Sequence, residues 1–323
     1  MKKLKRLLWL AGALALLVMG TAICASAATG NIDQNQSSAT EKSVTVSWNT
    51  ISGADYYELS YCKYETYKKY KNEHLIADMP GASTVRVRGT SYTINCAKDS
   101  AFMCDVIAFS SAGLKIDQAG YNRPLATVPG KLKKFKVERW NRSKGGFFIM
   151  RSNPYPNTMT GVEWKLLTRN GKKIAAQGRV TETLYIEAPA APTNQVYRLS
   201  VRGYTTVNHK KFYGPWYTKT VVPQPMMKEL KLVKVNQESK IKVSWRKVAG
   251  ATKYIVYAST NAAKGYKKVG TVKNTKSSLN VSKIYGKPLE KGVEYFFKVR
   301  AVRGKVKSTV TNYRSGYIFT SYK

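Results

Sequence analysis

Alternating apolar and polar positions end twice on a tryptophan: in Ser43-Val-Thr-Val-Ser-Trp48 and, 197 residues later, in Lys240-Ile-Lys-Val-Ser-Trp245. Each run leads into a small-residue turn containing Gly-Ala, Ser52-Gly-Ala-Asp-Tyr-Tyr57 and Ala249-Gly-Ala-Thr-Lys-Tyr254, which places a Tyr nine positions after the Trp. A period of two marks half-buried strands, because successive side chains point to opposite faces of a sheet. Both stretches are therefore predicted to be two successive strands of a sandwich, with Trp48, Tyr57, Trp245 and Tyr254 in the core. A second landmark, Tyr295-Phe-Phe-Lys-Val-Arg-Ala301, aligns without gaps on Tyr197-Arg-Leu-Ser-Val-Arg-Gly203 and on Phe102-Met-Cys-Asp-Val-Ile-Ala108, at spacings of 98 and 95 residues. A period of that length is one whole domain, and about 100 residues is the size of an immunoglobulin-like sandwich. The predicted class is all-β, with three tandem sandwiches over 41–128, 129–223 and 224–323.

At these residues the chain resembles the fibronectin type III family, in the form common in secreted bacterial proteins. The match is closest in the third copy, where the Val-Ser-Trp strand, the Gly-Ala-x-x-Tyr turn, Leu289 six residues before Tyr295, and the Val-Arg-Ala-Val strand follow the family order. The resemblance implies that Leu289 and Tyr295 form a tyrosine corner, in which the phenol hydroxyl bonds back to nearby backbone. In the first copy Cys96 and Phe102 stand at those positions, and Phe cannot make that bond. The second copy keeps Tyr197 and the strand-entry signature Tyr213-Gly-Pro-Trp216, but its second strand has no Trp, and Ile149 or Met150 must serve.

The ends of the chain bear on where it works. Residues 1–27 carry Lys2, Lys3, Lys5 and Arg6, an apolar run from Leu7 to Ile23, and Ala25-Ser-Ala27, the pattern of a cleaved secretory signal peptide. No later apolar run is long enough to span a bilayer, and no Leu-Pro-x-Thr-Gly sorting motif follows, so the mature chain is expected to be secreted, extracellular and at most held non-covalently at the envelope. Residues 28–40 hold hardly any large apolar group and read as a flexible leader; the first strand of copy 1 must come from this segment or be missing, since no apolar pair there matches Leu230 and Leu232 of copy 3.

Charge breaks the equivalence of the copies. The net charge is +37, yet residues 28–128 hold ten Lys or Arg against ten Asp or Glu. Residues 129–223 hold 18 against 4, and residues 224–323 hold 23 against 4. An asymmetry of this size bears on association and does little to specify the fold. The third copy repeats Lys at polar strand positions and turns, including Lys264, Lys267 and Lys268, and Lys is a hydrated point charge suited to loose attraction toward anionic groups. The partner this implies for an exported protein is an anionic cell-envelope polymer or acidic glycan, alongside a surface protein. The bland reading is that these lysines solubilise outer faces and blunt strand edges. Charge alone attracts nucleic acid, but no base-reading motif accompanies it, and no specific nucleic-acid partner is expected.

Two segments read as candidate contact surfaces. Tyr64, Tyr67 and Tyr70 recur at intervals of three beside lysines after the third strand of copy 1, a spacing that cannot keep all of them inward in a strand. Exposed Tyr beside Lys suits sugar rings or a protein surface; the alternative is ordinary cross-strand packing. Phe212, Trp216 and Tyr217 in copy 2 form the second candidate, again against a packing role. Cys96 and Cys104 fall at core positions, where they are either a bridge between facing sheets or two small buried hydrophobes. Cys62 falls on the outer face by alternation from Tyr57. His74 and His209 lie in different copies without paired Cys, which argues against zinc, and neither cofactor nor metal is expected. Scattered carboxylates, with no Gly-x-Ser-x-Gly elbow and no phosphate loop, leave few places for catalysis. The expected function is non-catalytic binding or adhesion, with a passive spacer as the second reading and a polymer-degrading enzyme a distant third.

Overall fold

The computed structural model describes residues 32–72, 75–119, 122–133, 135–140, 148–152, 158–181, 185–187, 194–235 and 238–318, with backbone alone for 135–140, 148–152 and 185–187. Residues 1–27, read above as a signal peptide, Ile149 and Met150 as core residues, and His74 lie outside what is described. The chain divides into two compact units, Met1–Ala126 and Thr127–Lys323, so copies 2 and 3 share the second.

In the first unit, β1 (Asn35–Ala39), β2 (Ser43–Ser47) and β5 (Ser91–Asn95) form a sheet in the order β1-β2-β5. The facing sheet runs β4 (Ser83–Val87), β3 (Tyr56–Lys63), β6 (Ala101–Phe109) and β7 (Lys115–Gln118), with β8 (Arg123–Ala126) also on β6. Val44, Val46, Trp48, Tyr57, Leu59, Phe102 and Val106 meet between the sheets. Burying a large apolar side chain of this kind contributes about 1.5–3 kcal/mol.

Residues 35–39, read above as leader, are a strand, and the physical basis is polar. Gln36 is buried, its amide donating to the Ala126 carbonyl at 3.0 Å and its carbonyl accepting from the Ala126 N–H at 2.8 Å. Gln34 donates to the Cys104 carbonyl at 3.1 Å. A glutamine that replaces a backbone rung satisfies buried groups without an apolar period.

In the second unit, copy 2 pairs β9 (Phe135–Trp140), β10 (Phe148–Ser152) and β13 (Tyr185–Glu187) in one sheet. Its other sheet holds β11 (Gly161–Thr168), β12 (Ile174–Thr181), β14 (Tyr197–Val207), β15 (Lys210–Tyr213) and β16 (Tyr217–Val221). The core aromatics described here are Tyr197 and Trp164, the latter on the third strand. Trp164 lies flat against its cross-strand partner Gly178, where an added Cβ would stand 2.9 Å from the indole, so only Gly fits.

Copy 3 pairs β17 (Lys231–Val235), β18 (Glu238–Ser244) and β21 (Ser278–Val281) against β19 (Lys253–Ser259), β20 (Lys267–Lys273), β24 (Glu294–Arg303), β25 (Val306–Lys307) and β26 (Arg314–Tyr317). A small hairpin of β22 (Lys283–Ile284) and β23 (Lys287–Pro288) lies between them in sequence. Trp245 and Tyr254 fill the core with ring centroids 5.1 Å apart, as Trp48 and Tyr57 do in copy 1 at 5.5 Å. The repeated turn closes in the same way in both copies. Tyr57 Oη accepts the Ile51 N–H, and Tyr254 Oη accepts the Val248 N–H, each at 2.8 Å. Gly250 in that turn has φ +85°, a conformation that glycine adopts without steric cost. Tyr295 Oη accepts the Glu290 N–H at 2.8 Å, beside the half-buried Leu289.

Candidate functional site

The three tyrosines of copy 1 lie on a short helix, α1 (Tyr64–Tyr70), where a spacing of three returns to one face. That face covers a small cluster of Cys62, Ile76, Met79 and Met103 on the outer side of the β3–β6 sheet. Tyr64, Tyr67 and Tyr70 are half-buried over it, Tyr64 stacked on Tyr67 at 6.4 Å. Lys68 stands over Tyr64 at 5.4 Å, and Lys69 over Tyr70 at 4.9 Å. The tyrosines therefore roof a satellite core and present only their outer edges. Cys62 is on the outer face, yet it is buried under this helix.

No bridge joins Cys96 and Cys104; Cys62, Cys96 and Cys104 are all free thiols. Cys104 contacts backbone and side chain instead, its Sγ lying 3.5 Å from the Arg123 carbonyl and 3.8 Å from Gln34 Oε1. Burial pushes the Cys104 thiol far above its ordinary range, and the neighbouring Asp105 adds to the shift. Burial raises Cys96 and Cys62 as well, so none has the low pKa of a reactive nucleophile. Among the described residues, no group of three metal-ligating side chains forms, and no helix is long and apolar enough to cross a membrane.

In copy 2 the second candidate segment is built into a ladder across the sheet. Arg179, Glu163 and Arg202 are direct cross-strand neighbours on β12, β11 and β14. Glu163 pairs with Arg202 at 2.5 Å and with Arg179 at 3.2 Å. Burial pushes the Glu163 carboxyl up, but the Arg202 hydrogen bond and charge, with Arg179 behind them, hold it below the usual glutamate range. Arg202 also lies over the Tyr213 ring at 3.8 Å and the Trp216 ring at 4.5 Å, while Lys165 stands 5.0 Å over Trp216. Phe212 is buried, and Tyr217 packs on the core cluster. Trp216 thus takes two cations, and the buried Phe212 has Lys210 over its ring at 5.4 Å.

Copy 3 carries its charge openly. Lys264, Lys267 and Lys268 are exposed, the last two opening β20 at the sheet edge. Lys231 lies directly across from Lys242, and Lys253 directly across from Lys273. Such like-charge pairs cost about 0.2–1 kcal/mol each. Among the described residues of copy 3, one ion pair forms, Lys240 with Glu238 at 3.3 Å. Copy 1 contrasts sharply, pairing Lys68–Glu65, Arg86–Glu58, Arg88–Asp55, Lys98–Glu41 and Arg123–Asp33 within 4.0 Å.

With the small β22–β23 hairpin of copy 3 set aside, all three copies set their first, second and fifth strands in one sheet and their fourth, third, sixth and seventh in the other. The fold is that of tandem fibronectin type III sandwiches. Among solved structures, the chain is similar to the chicken CNTN1 FN1–FN3 domains at 14% identity and a TM-score of 0.26, over 90% of this chain and 99% of that one. It is also similar to a two-domain fibronectin type III segment of chicken tenascin at 12% identity and a TM-score of 0.29, over 60% of this chain and 99% of that one. No protein-family model and no curated protein matches the chain.

Within the fibronectin type III frame, α1 is an insertion after the third strand of module 1, and the Tyr spacing of three was its sequence signal. The Arg202 ladder had a weaker signal, a charged residue at alternate positions of three strands that pair only in the fold. Lys298 on β24, directly across from Tyr257, and Tyr313 were not singled out from sequence because nothing local marks them as neighbours.

Proposed function

We propose that this chain is an exported, non-catalytic binding protein whose modules 2 and 3 attach to an anionic envelope polymer or acidic glycan. Module 1 is left for a more selective contact with a surface partner. The observation that carries this reading is the uncompensated lysine field of module 3, where like charges face one another across strands while module 1 pairs its own. Lysines serving solubility alone have no need of directly opposed positions, and a bound polyanion relieves the repulsion they create. The outer edges of the α1 tyrosines suit the second contact, being aromatic, polar-tipped and flanked by Lys68 and Lys69.

The mature chain is expected to be retained on heparin-like or phosphate-rich polymer at low salt and released steeply as salt rises, because exposed charges are screened beyond about 10 Å at 0.1 M. Replacing Lys231, Lys253 and Lys273 by Gln lowers the releasing salt concentration. The matched change of Lys68, Lys69 and Lys71 in module 1 leaves it unchanged. Equal loss from both triples, or retention indifferent to salt, rejects the reading; no retention at all favours a passive spacer.

A further inference from the structure

A cleft of about 700 Å³ opens on the outer face of module 3, lined by Lys298, Asn312, Tyr313 and Arg314 together with Ala262 and Ala263. Its chemistry differs from the rest of the lysine field because the cations are interleaved with aromatic rings held in place. Tyr313 stands edge-on to Phe296, with centroids 5.2 Å apart, and is still 46% exposed. Lys298, two residues along β24 from Phe296 and so on the same face, lies 3.8 Å over the Tyr266 ring. Tyr266 donates its hydroxyl to the Ala262 carbonyl at 2.8 Å, and Tyr285 donates to the Gly265 carbonyl at 2.6 Å. Tyr285 holds a φ of +55°, a left-handed conformation that a bulky residue keeps only when its surroundings impose it. Burial raises the Tyr266 hydroxyl, and the Tyr313 and Tyr285 phenols add to the shift.

Cations also continue out of the cleft along the sheet. Lys298 lies directly across from Tyr257, and Tyr257 directly across from Lys268 on the edge strand. No carboxylate lines the cleft among the described residues.

We infer that this cleft binds an acidic glycan, with a sugar ring laid on Tyr313 and its carboxylate or sulfate held by Lys298 and Arg314. The inference rests on the polyanion reading above and narrows it. A sugar ring offers an apolar C–H face to an exposed aromatic ring and hydroxyls to the Asn312 amide, while its acid group needs a cation at the wall. A simple polyphosphate offers charge to the lysines but nothing to the ring. The track through Tyr257 to Lys268 gives the next residues of a polymer a second aromatic and a second cation.

The test uses the full mature chain with three probes: polygalacturonate, a heparin-like sulfated glycan and inorganic polyphosphate. Tyr313→Ala is expected to weaken glycan binding about tenfold, the size of one aromatic stacking contact, and to leave polyphosphate within about twofold. Tyr313→Phe keeps the ring and keeps glycan binding, which separates loss of the platform from damage to the fold. Lys298→Gln with Arg314→Gln weakens all three probes. Binding of either glycan with this pattern supports the inference, and the glycan that binds tells carboxylate from sulfate. Equal loss of glycan and polyphosphate in Tyr313→Ala, no loss of glycan, or wild-type binding of polyphosphate alone overturns it. A wild-type chain that binds none of the three overturns the polyanion reading as well.

Discussion

Replacing Tyr254 by Phe isolates the bond that makes the repeated turn of this chain. The ring stays, with its 5.1 Å contact to Trp245, and one oxygen is lost. That oxygen accepts the Val248 N–H at 2.8 Å, in a place where Tyr254 is 0% and Val248 3% exposed. Water cannot reach the donor left behind, so the loss is the penalty of an unsatisfied buried N–H, about 1–3 kcal/mol. With a urea dependence of about 1–3 kcal/mol per molar for a small domain, the unfolding midpoint of module 3 falls by roughly 1 M. Residue-resolved hydrogen exchange on the whole chain is the better assay, since three modules need not unfold as one. Protection of the Val248 amide is expected to drop, and Tyr57→Phe is expected to do the same to Ile51, whose N–H meets Tyr57 at 2.8 Å. The exposed Tyr313→Phe serves as control, with a change within about 0.5 kcal/mol. If Tyr254→Phe shifts module 3 no more than that control, the hydroxyl is not what closes the turn.

Three further outcomes are expected. Glu163→Gln leaves Arg179 and Arg202 without their shared carboxylate and costs about 1–2 kcal/mol at neutral pH. Because the folded Glu163 is held below its ordinary range, that contribution is present above about pH 4.3 and disappears as pH falls through the depressed value, so melting temperatures of wild type and variant should converge in acid. Asp105 has the opposite sign: burial raises its carboxyl against the Gln118 hydrogen bond at 2.6 Å, and its Oδ1 has no partner. Its ionisation is a penalty that sets in as pH rises above about 3.9, so Asp105→Asn should raise the melting temperature of module 1 at pH 7, with the gain fading in acid. Gln36→Ala removes both bonds to Ala126 and is expected to cost about 1–3 kcal/mol, read as lost exchange protection of the Ala126 amide.

Strand alternation, the Val-Ser-Trp runs, the Gly-Ala turns and the domain-length period are local or repeated features, and the all-β class and the inward Trp48, Tyr57, Trp245 and Tyr254 were legible from them. So was the charge partition among the three copies, which is a matter of counting. β1 was not, because its stability comes from Gln36 reaching a carbonyl and an amide 90 residues away rather than from an apolar period. For the tyrosines of α1 the sequence left an exposed platform and ordinary packing both open, and only the fold placed Ile76, Met79 and Met103 beneath them. Residues such as Lys298, Tyr266 and Tyr313 are far apart in the chain, and each is unremarkable in its own segment. Side chains of that kind meet only when strands pair across long loops. Sequence by itself thus determined the module, its number and where the charge lies, since these depend on period and composition. Tertiary structure alone decided which charges are paired, which aromatics are covered and where a ring and a cation share a cleft, because each depends on neighbours that no local pattern encodes.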